Sequence, residues 1–351
     1  MSVAYREIIR YNETSTHVLK VIGARRKRMV IGGRVTVALR LMCIAIFIAL
    51  LPANAESRSE DERRQQVVAT LAGKGDLERV REMISADKNL VNSKDGWGDL
   101  ALNLAIRSRQ RDTVWFLVEN GADLSLTGAR GYTPLHEAVE SGNIEFVRLL
   151  LQKGADPSSK GASHEPPLHR LQNDPKIAKL LIQHGADVRQ KGICDNTLLH
   201  WCAERGADDL SALLILSGAD PNARNELGET PLHLALGFGR VRQARSLLEA
   251  GAEITDSEKW PALHYAAASG NVFLIARVIS EGANLNGQDA QGNTALHVAV
   301  SLYGKDNAIE LLVAKGARLD VRNQAGKTPL DLARERNPRA SQIFEKLGVA
   351  E

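Results

Sequence analysis

Six histidines stand at nearly fixed intervals along most of this chain, and no other feature constrains its fold so tightly. His136, His169, His200, His233, His264 and His297 are 33, 31, 33, 31 and 33 residues apart. A second series keeps the same step. The glycine of a Gly-Ala pair recurs at Gly121, Gly154, Gly185, Gly218, Gly251, Gly282 and Gly316, with spacings of 33, 31, 33, 33, 31 and 34. Two independent landmarks in phase mean that one supersecondary unit is repeated, each copy packing mainly on its neighbours.

The residues between the landmarks describe that unit. It opens with Gly131-Tyr132-Thr133-Pro134-Leu135-His136-Glu137-Ala138, continues with Gly142-Asn143-Ile144-Glu145-Phe146-Val147, and closes with Leu149-Leu150-Leu151-Gln152-Lys153-Gly154-Ala155-Asp156. Threonine is a good N-cap, and proline fits the first helical position, where its missing N–H costs nothing. A histidine three residues after the threonine can reach back to the cap, as in a capping box. The alanines allow close approach of a first helix, and Phe146, Val147, Leu149, Leu150 and Leu151 form the apolar stripe of a second. Gly154 ends that helix in the left-handed conformation, and the following segment, rich in Asp, Asn and Gly, predicts a protruding hairpin.

With this pattern the chain resembles the ankyrin-repeat family, whose unit of about 33 residues carries T-P-L-H-x-A. The motif recurs at Thr230-Pro231-Leu232-His233-Leu234-Ala235 and Thr328-Pro329-Leu330-Asp331-Leu332-Ala333. Weaker copies are Thr197-Leu198-Leu199-His200, Pro261-Ala262-Leu263-His264 and Thr294-Ala295-Leu296-His297. Pro166-Pro167-Leu168-His169 and Leu100-Ala101-Leu102-Asn103 are the most degraded. The resemblance implies an all-α solenoid of about nine helix-turn-helix units joined by short β-hairpin loops. Read this way, the units run about 64–94, 95–127, 128–160, 161–191, 192–224, 225–255, 256–288, 289–322 and 323–348 within a domain spanning 56–351. The fourth is short and carries Asn173-Asp174-Pro175 at its inter-helix turn, and Tyr303-Gly304-Lys305 reads as an insertion in the eighth. Asp331 replaces the histidine in the last unit, whose polar outer face, Arg334 to Asn337, suits a solenoid cap.

Ahead of the array, Arg25-Arg26-Lys27-Arg28, Arg34 and Arg40 precede an apolar run, residues 41–51, and then Pro52-Ala53-Asn54-Ala55. A positive region, a short apolar region and an A-x-A site are the parts of a secretory signal peptide, with cleavage expected after Ala55. The competing reading is a retained anchor, although eleven residues rise only about 16 Å as helix against a hydrocarbon core of about 30 Å. Met29 would begin a leader of ordinary length. The expected location is therefore the periplasm or the exterior, with an inner-membrane anchor as the alternative.

The net charge of +3 is a property of this leader. Residues 1–55 hold nine Lys/Arg against two acids, which leaves the array with 36 basic and 40 acidic residues. A mildly acidic array argues against nucleic acid as a partner. Catalysis is not expected either. Neighbouring histidines one repeat apart, about 10 Å, cannot share a metal whose bonds are about 2 Å, and no phosphate loop, dinucleotide fingerprint or nucleophile elbow is present. No cofactor is expected. Export would permit a Cys194–Cys202 disulfide, but Cys202 occupies a small repeat position that should be buried.

A non-catalytic module that binds a partner protein is the reading that remains, with a membrane-tethered scaffold or a small-molecule binder or enzyme as alternatives. In the ankyrin family the hairpin tips, first helices and inter-helix turns line a concave groove. Projected onto this chain, that surface includes Trp97, Tyr132, Trp201, Phe238, Trp260 and Tyr265, an aromatic strip of the kind that dominates interfaces. The competing reading for Trp201 and Tyr265 is that they fill a leucine position and pack on the next repeat.

Overall fold

The computed structural model describes residues 59–161, 164–255, 257 and 260–348, so the leader, its apolar run and the cleavage point lie outside the described residues. The first unit holds α1 (Glu60–Lys74) and α2 (Leu77–Ala86), the second α3 (Ala101–Arg107) and α4 (Arg111–Glu119), and the third α5 (Pro134–Glu140) and α6 (Ile144–Gln152). The fourth has only a 3-10 turn, Pro167–Arg170, before α7 (Pro175–Gln183). Then come α8 (Leu198–Arg205) with α9 (Asp208–Leu216), α10 (Pro231–Gly237) with α11 (Val241–Glu249), and α12 (Ala262–Ser269) with α13 (Val272–Ser280). The array closes with α14 (Ala295–Ser301), α15 (Asp306–Ala314), α16 (Pro329–Arg336) and α17 (Pro338–Lys346). The fold is the all-α repeat stack expected. From the second unit on, first helices pack on first helices and second helices on second helices.

Local chemistry fixes each boundary. Thr133, Thr230 and Thr328 are extended caps immediately before a proline at the first helical position. Second helices start on side-chain caps: Asn143, Asp174 and Asn271 each accept from two backbone N–H groups of the first turn. In the fourth unit, Pro166 and Pro167 remove two backbone donors, Asn173 is left-handed with φ of 61°, and Asp174 is extended ahead of Pro175. A proline disfavours helix at the residue before it, so the first helix of that unit shrinks to one turn.

The loops are tighter than the expected β-hairpins. Each is pinned by one main-chain pair across its base, such as Gly128 N–H to Tyr132 O at 3.0 Å and Asn225 N–H to Glu229 O at 3.0 Å. Among the described residues only isolated bridges occur, Lys94 with Leu100 and Lys191 with Thr197. The loop-opening Asp or Asn does the rest. Asp95, Asn225, Asp289 and Asn323 each accept from the backbone N–H two and four residues on, closing the turn with a side chain in place of a ladder.

The core runs the length of the array between the two helix layers, built from alanines on first helices and leucine, isoleucine and valine on second helices. One position departs from it. The third residue of the second helix is Phe146, Ile177, Leu210 and Leu274 in four units, all buried, but Gln243 in the sixth. Gln243 is buried, and neither of its amide atoms has a hydrogen-bond partner. An unpaired buried amide costs about 1–3 kcal/mol. Gln243→Leu is therefore expected to stabilise the chain by about 1–2 kcal/mol, read as a higher urea midpoint at unchanged slope; a lower midpoint would show that the amide has found partners.

Candidate functional site

The face formed by the first helices and the hairpins carries every side chain that the repeat pattern singles out. Four of its histidines, His136, His200, His233 and His297, bond through both ring nitrogens. Thr197, Thr230 and Thr294 donate their backbone N–H to Nδ1 of His200, His233 and His297 at 3.2, 3.0 and 3.1 Å. Nδ1 is thus an acceptor and Nε2 carries the proton. Each Nε2 then donates to a carbonyl of the loop that leads into the next first helix: His136 to Glu165 at 3.0 Å, His169 to Gln190 at 3.1 Å, His200 to Glu229 at 3.0 Å, His233 to Thr255 at 2.7 Å, His264 to Asn293 at 2.7 Å and His297 to Lys327 at 3.0 Å. Asn103, in the histidine position of the second unit, makes the same bond to Tyr132 O at 2.8 Å. Asp331 makes the cap and an ion pair with Arg322 at 3.4 Å.

This ladder explains the two short spacings. At most joints the acceptor is the residue just before the next cap, but His169 and His233 reach Gln190 and Thr255 on the incoming arm of the loop. Those are the joints where the following histidine comes after 31 residues. A loop two residues shorter presents a different carbonyl to the same ring. The loop-opening glycines follow from the same approach: a Cβ on Gly161 would lie 2.9 Å from His136 Nε2, and one on Gly192 would lie 2.5 Å from His169 Nδ1.

Burial keeps the ladder neutral. It lowers the pKa of His136 and His297 and pushes His169 and His200 down to about 4. Among the described residues no three His, Cys, Asp or Glu side chains converge as metal ligands would. Cys202 is fully buried, which raises its thiol pKa far above the ordinary range and leaves it unreactive.

The six aromatic candidates separate into two groups. Trp97, at the tip of its hairpin, is 88% exposed, and Phe238, capping α10, is 40% exposed; Trp201 and Trp260 are half-buried against the core. Tyr132 and Tyr265 are placed differently, at 8% and 5% exposure. The Arg130 and Arg170 guanidinium groups lie 4.7 and 4.5 Å from the Tyr132 ring centre, and the ring stacks on His136 at 5.7 Å. The Tyr265 ring lies 5.0 Å from His233 and meets Trp260 edge-on at 5.3 Å. Its hydroxyl donates to the buried Glu229 carboxylate at 2.8 Å. Burial, with Glu229 adding, holds that phenol protonated well above its ordinary range. Gly237 makes room for this ring, since a Cβ there would sit 3.3 Å from Tyr265 Cδ1.

The face also changes character along the array. In the second to fourth units it is a network of ion pairs: Arg107 bonds Asp99 at 3.0 Å and the buried Glu137 at 2.8 Å, Arg130 reaches Glu137 and Glu140 at 3.3 and 2.9 Å, and Arg170 reaches Glu165 at 2.7 Å. In the fifth to seventh units it is aromatic, with Trp201, Phe238, Trp260 and the buried Tyr265. The charged half was not foreseen; the signal for it was present as Glu137 and Arg170 at the first-helix position where the later units carry Trp201, Leu234 and Tyr265.

Comparison with known proteins gives a family match over most of the array. The family model for ankyrin repeats (three copies) matches residues 67–161, 168–258, 199–289, 245–323 and 263–347. An E3 ubiquitin-protein ligase of Arabidopsis thaliana, KEG, is 27% identical over 289 residues, covering 80% of this chain and 16% of that protein. Human SH3 and multiple ankyrin repeat domains protein 2 is 33% identical over 141 residues, 39% of this chain and 8% of the relative. Mouse Synphilin-1 is 37% identical over 144 residues, 38% of this chain and 15% of the relative. The chain thus spans a small part of the length of the relatives it matches.

Proposed function

Because the chain belongs to the ankyrin-repeat family, whose repeats mediate protein–protein interaction, we propose that it is a non-catalytic module that binds a partner protein on the face of first helices and hairpins. The observation that carries this reading is the aromatic strip. Trp97 and Phe238 stand in solvent, and Trp201 and Trp260 are half-buried with part of their surface open. Large aromatic rings left exposed on one face are the usual anchors of an interface, costing little side-chain entropy when a partner covers them. The Nε2 atoms of the ladder histidines are engaged in holding the repeats together, which supports a scaffold role for them. The leader supports an exported protein, released after Ala55, as the setting in which the partner is met.

Affinity capture with the native chain and with Trp201→Ala and Trp260→Ala tests the face. Each variant is expected to weaken partner retention about tenfold or more, the loss of a buried aromatic anchor. Unchanged capture by both would remove the strip as the binding surface. The mass of the mature protein and its membrane fractionation test the setting: a chain beginning at Glu56 in the soluble fraction is expected, and an intact leader in the membrane would make it a tethered scaffold.

A further inference from the structure

The layer of first helices has one weak joint. From the second unit on, α3 packs on α5 and α5 on the Pro167–Arg170 turn, and from α8 to α16 each first helix packs on the next; between the turn and α8 contact is slight. The second helices continue across this joint, with α7 packed on both α6 and α9. Side-chain ties differ there too. Arg240, Lys305 and Asn337, each the cap residue of a second helix, donate to main-chain oxygens of the preceding unit, Glu204 at 3.0 Å, Ser269 at 2.8 Å and Val300 at 2.9 Å. The same position of the fifth unit is Ala207, whose side chain has no donor to offer the fourth. Strain gathers on both sides of the joint. The residue two before the first-helix cap is a left-handed glycine in five units, Gly98, Gly131, Gly228, Gly292 and Gly326. In the fourth and fifth units it is His164 and Asp195, with φ of 59° and 58°, and Cys194 beside Asp195 is also left-handed, at 57°. With Asn173 at 61°, four of the five such non-glycine residues among the described residues lie between 164 and 195. These conformations crowd a side chain and persist only where the surroundings impose them.

We propose that the joint between the fourth and fifth units is a hinge. The first four units and the last five are two bodies that rotate about the packed second helices α7 and α9, opening and closing the face of first helices and hairpins. Each unit of a repeat stack touches only its neighbours, so no contact elsewhere in the array bridges a weak joint. Hinges take up their motion in a few loop and element-end residues, here the shortened turn and the two strained loops. The charged half of the face, in the second to fourth units, lies on one side of the joint, and the aromatic half, in the fifth to seventh, on the other. The hinge thereby sets the spacing between the two halves.

Distances between pairs of spin labels, measured by pulsed electron resonance on the full chain frozen in solution, test this. Cys43→Ser and Cys194→Ser clear the background, and Cys202 is fully buried, out of reach of the label. The first pair, Ala129→Cys with Glu226→Cys, joins exposed hairpin tips three units apart across the joint. The second, Glu226→Cys with Gln324→Cys, joins exposed tips three units apart within the last five units. The third, Glu145→Cys with Arg242→Cys, crosses the joint on the exposed side of the second helices. At about 10 Å per unit each pair spans about 30 Å. The first pair is expected to give a distance distribution about twice as broad as the other two, since freezing traps the hinge at every angle it visits. A first pair no broader than the second, or a third pair as broad as the first, overturns the proposal.

Discussion

Lowering the pH from 7 to 5 is expected to remove about 4 kcal/mol of stability through His169 and His200 alone. His200 is buried and His169 partly so, each donates Nε2–H to a carbonyl of the loop leading into the next first helix, and both keep a folded pKa of about 4. An unfolded imidazole takes up its proton near 6.5. Below that pH the unfolded chain binds protons that the folded chain refuses, so stability falls with pH until the folded rings titrate near 4; above about 7 the contribution is complete. At pH 5 the difference is about 2 kcal/mol for each ring. His136 and His297, shifted in the same direction, add to it. Protonation also places an N–H on Nδ1, where the Thr197 N–H already points in the case of His200, so the cap bond is lost while Nε2 stays a donor. Urea unfolding at the two pH values measures the loss. The chain supplies its own control in Asn103, which makes the same cross-unit bond without a titrating group. His200→Asn is expected to flatten the pH dependence by about 2 kcal/mol; a variant as acid-sensitive as the native chain would locate the sensitivity elsewhere.

The sequence revealed one end of this ladder and hid the other. Thr230 and His233 are three residues apart, and their residue types announce the cap. The carbonyl acceptors belong to Glu165, Gln190, Glu229, Thr255, Asn293 and Lys327. A main-chain oxygen needs no particular side chain, so nothing in the residue type marks it. The hairpin turns were legible through Asp95, Asn225 and Gly228, whose chemistry is local, whereas the number of paired residues in each loop is set by the next unit's position. The same division separates the aromatic candidates. The repeat pattern places Trp201, Tyr132 and Tyr265 on one face, but depth is decided by neighbours on other units: Arg170 over Tyr132, and Gly237 beneath Tyr265.

Tyr265→Phe is expected to cost about 2 kcal/mol of stability while leaving partner capture intact. The ring fills a slot that Gly237 leaves open, so phenylalanine preserves the packing against His233 and Trp260. What it removes is the donor to Glu229, a carboxylate that is only 3% exposed and left with Asn225 as its remaining side-chain donor. Hydrogen bonds to charged groups are worth about 1.5–3 kcal/mol, and the loss is largest when the abandoned partner is buried. The urea midpoint should fall at constant slope, as for a change in stability without a change in compactness. Because the hydroxyl points into the stack, a partner lying on Trp201, Phe238 and Trp260 should not sense its loss. Unchanged stability with impaired capture would invert the assignment and make Tyr265 a contact residue. Should both measurements fall together, the Tyr265–Glu229 bond would be what holds the aromatic end in its binding shape, joining the sixth and seventh units and the face they present into one structural element.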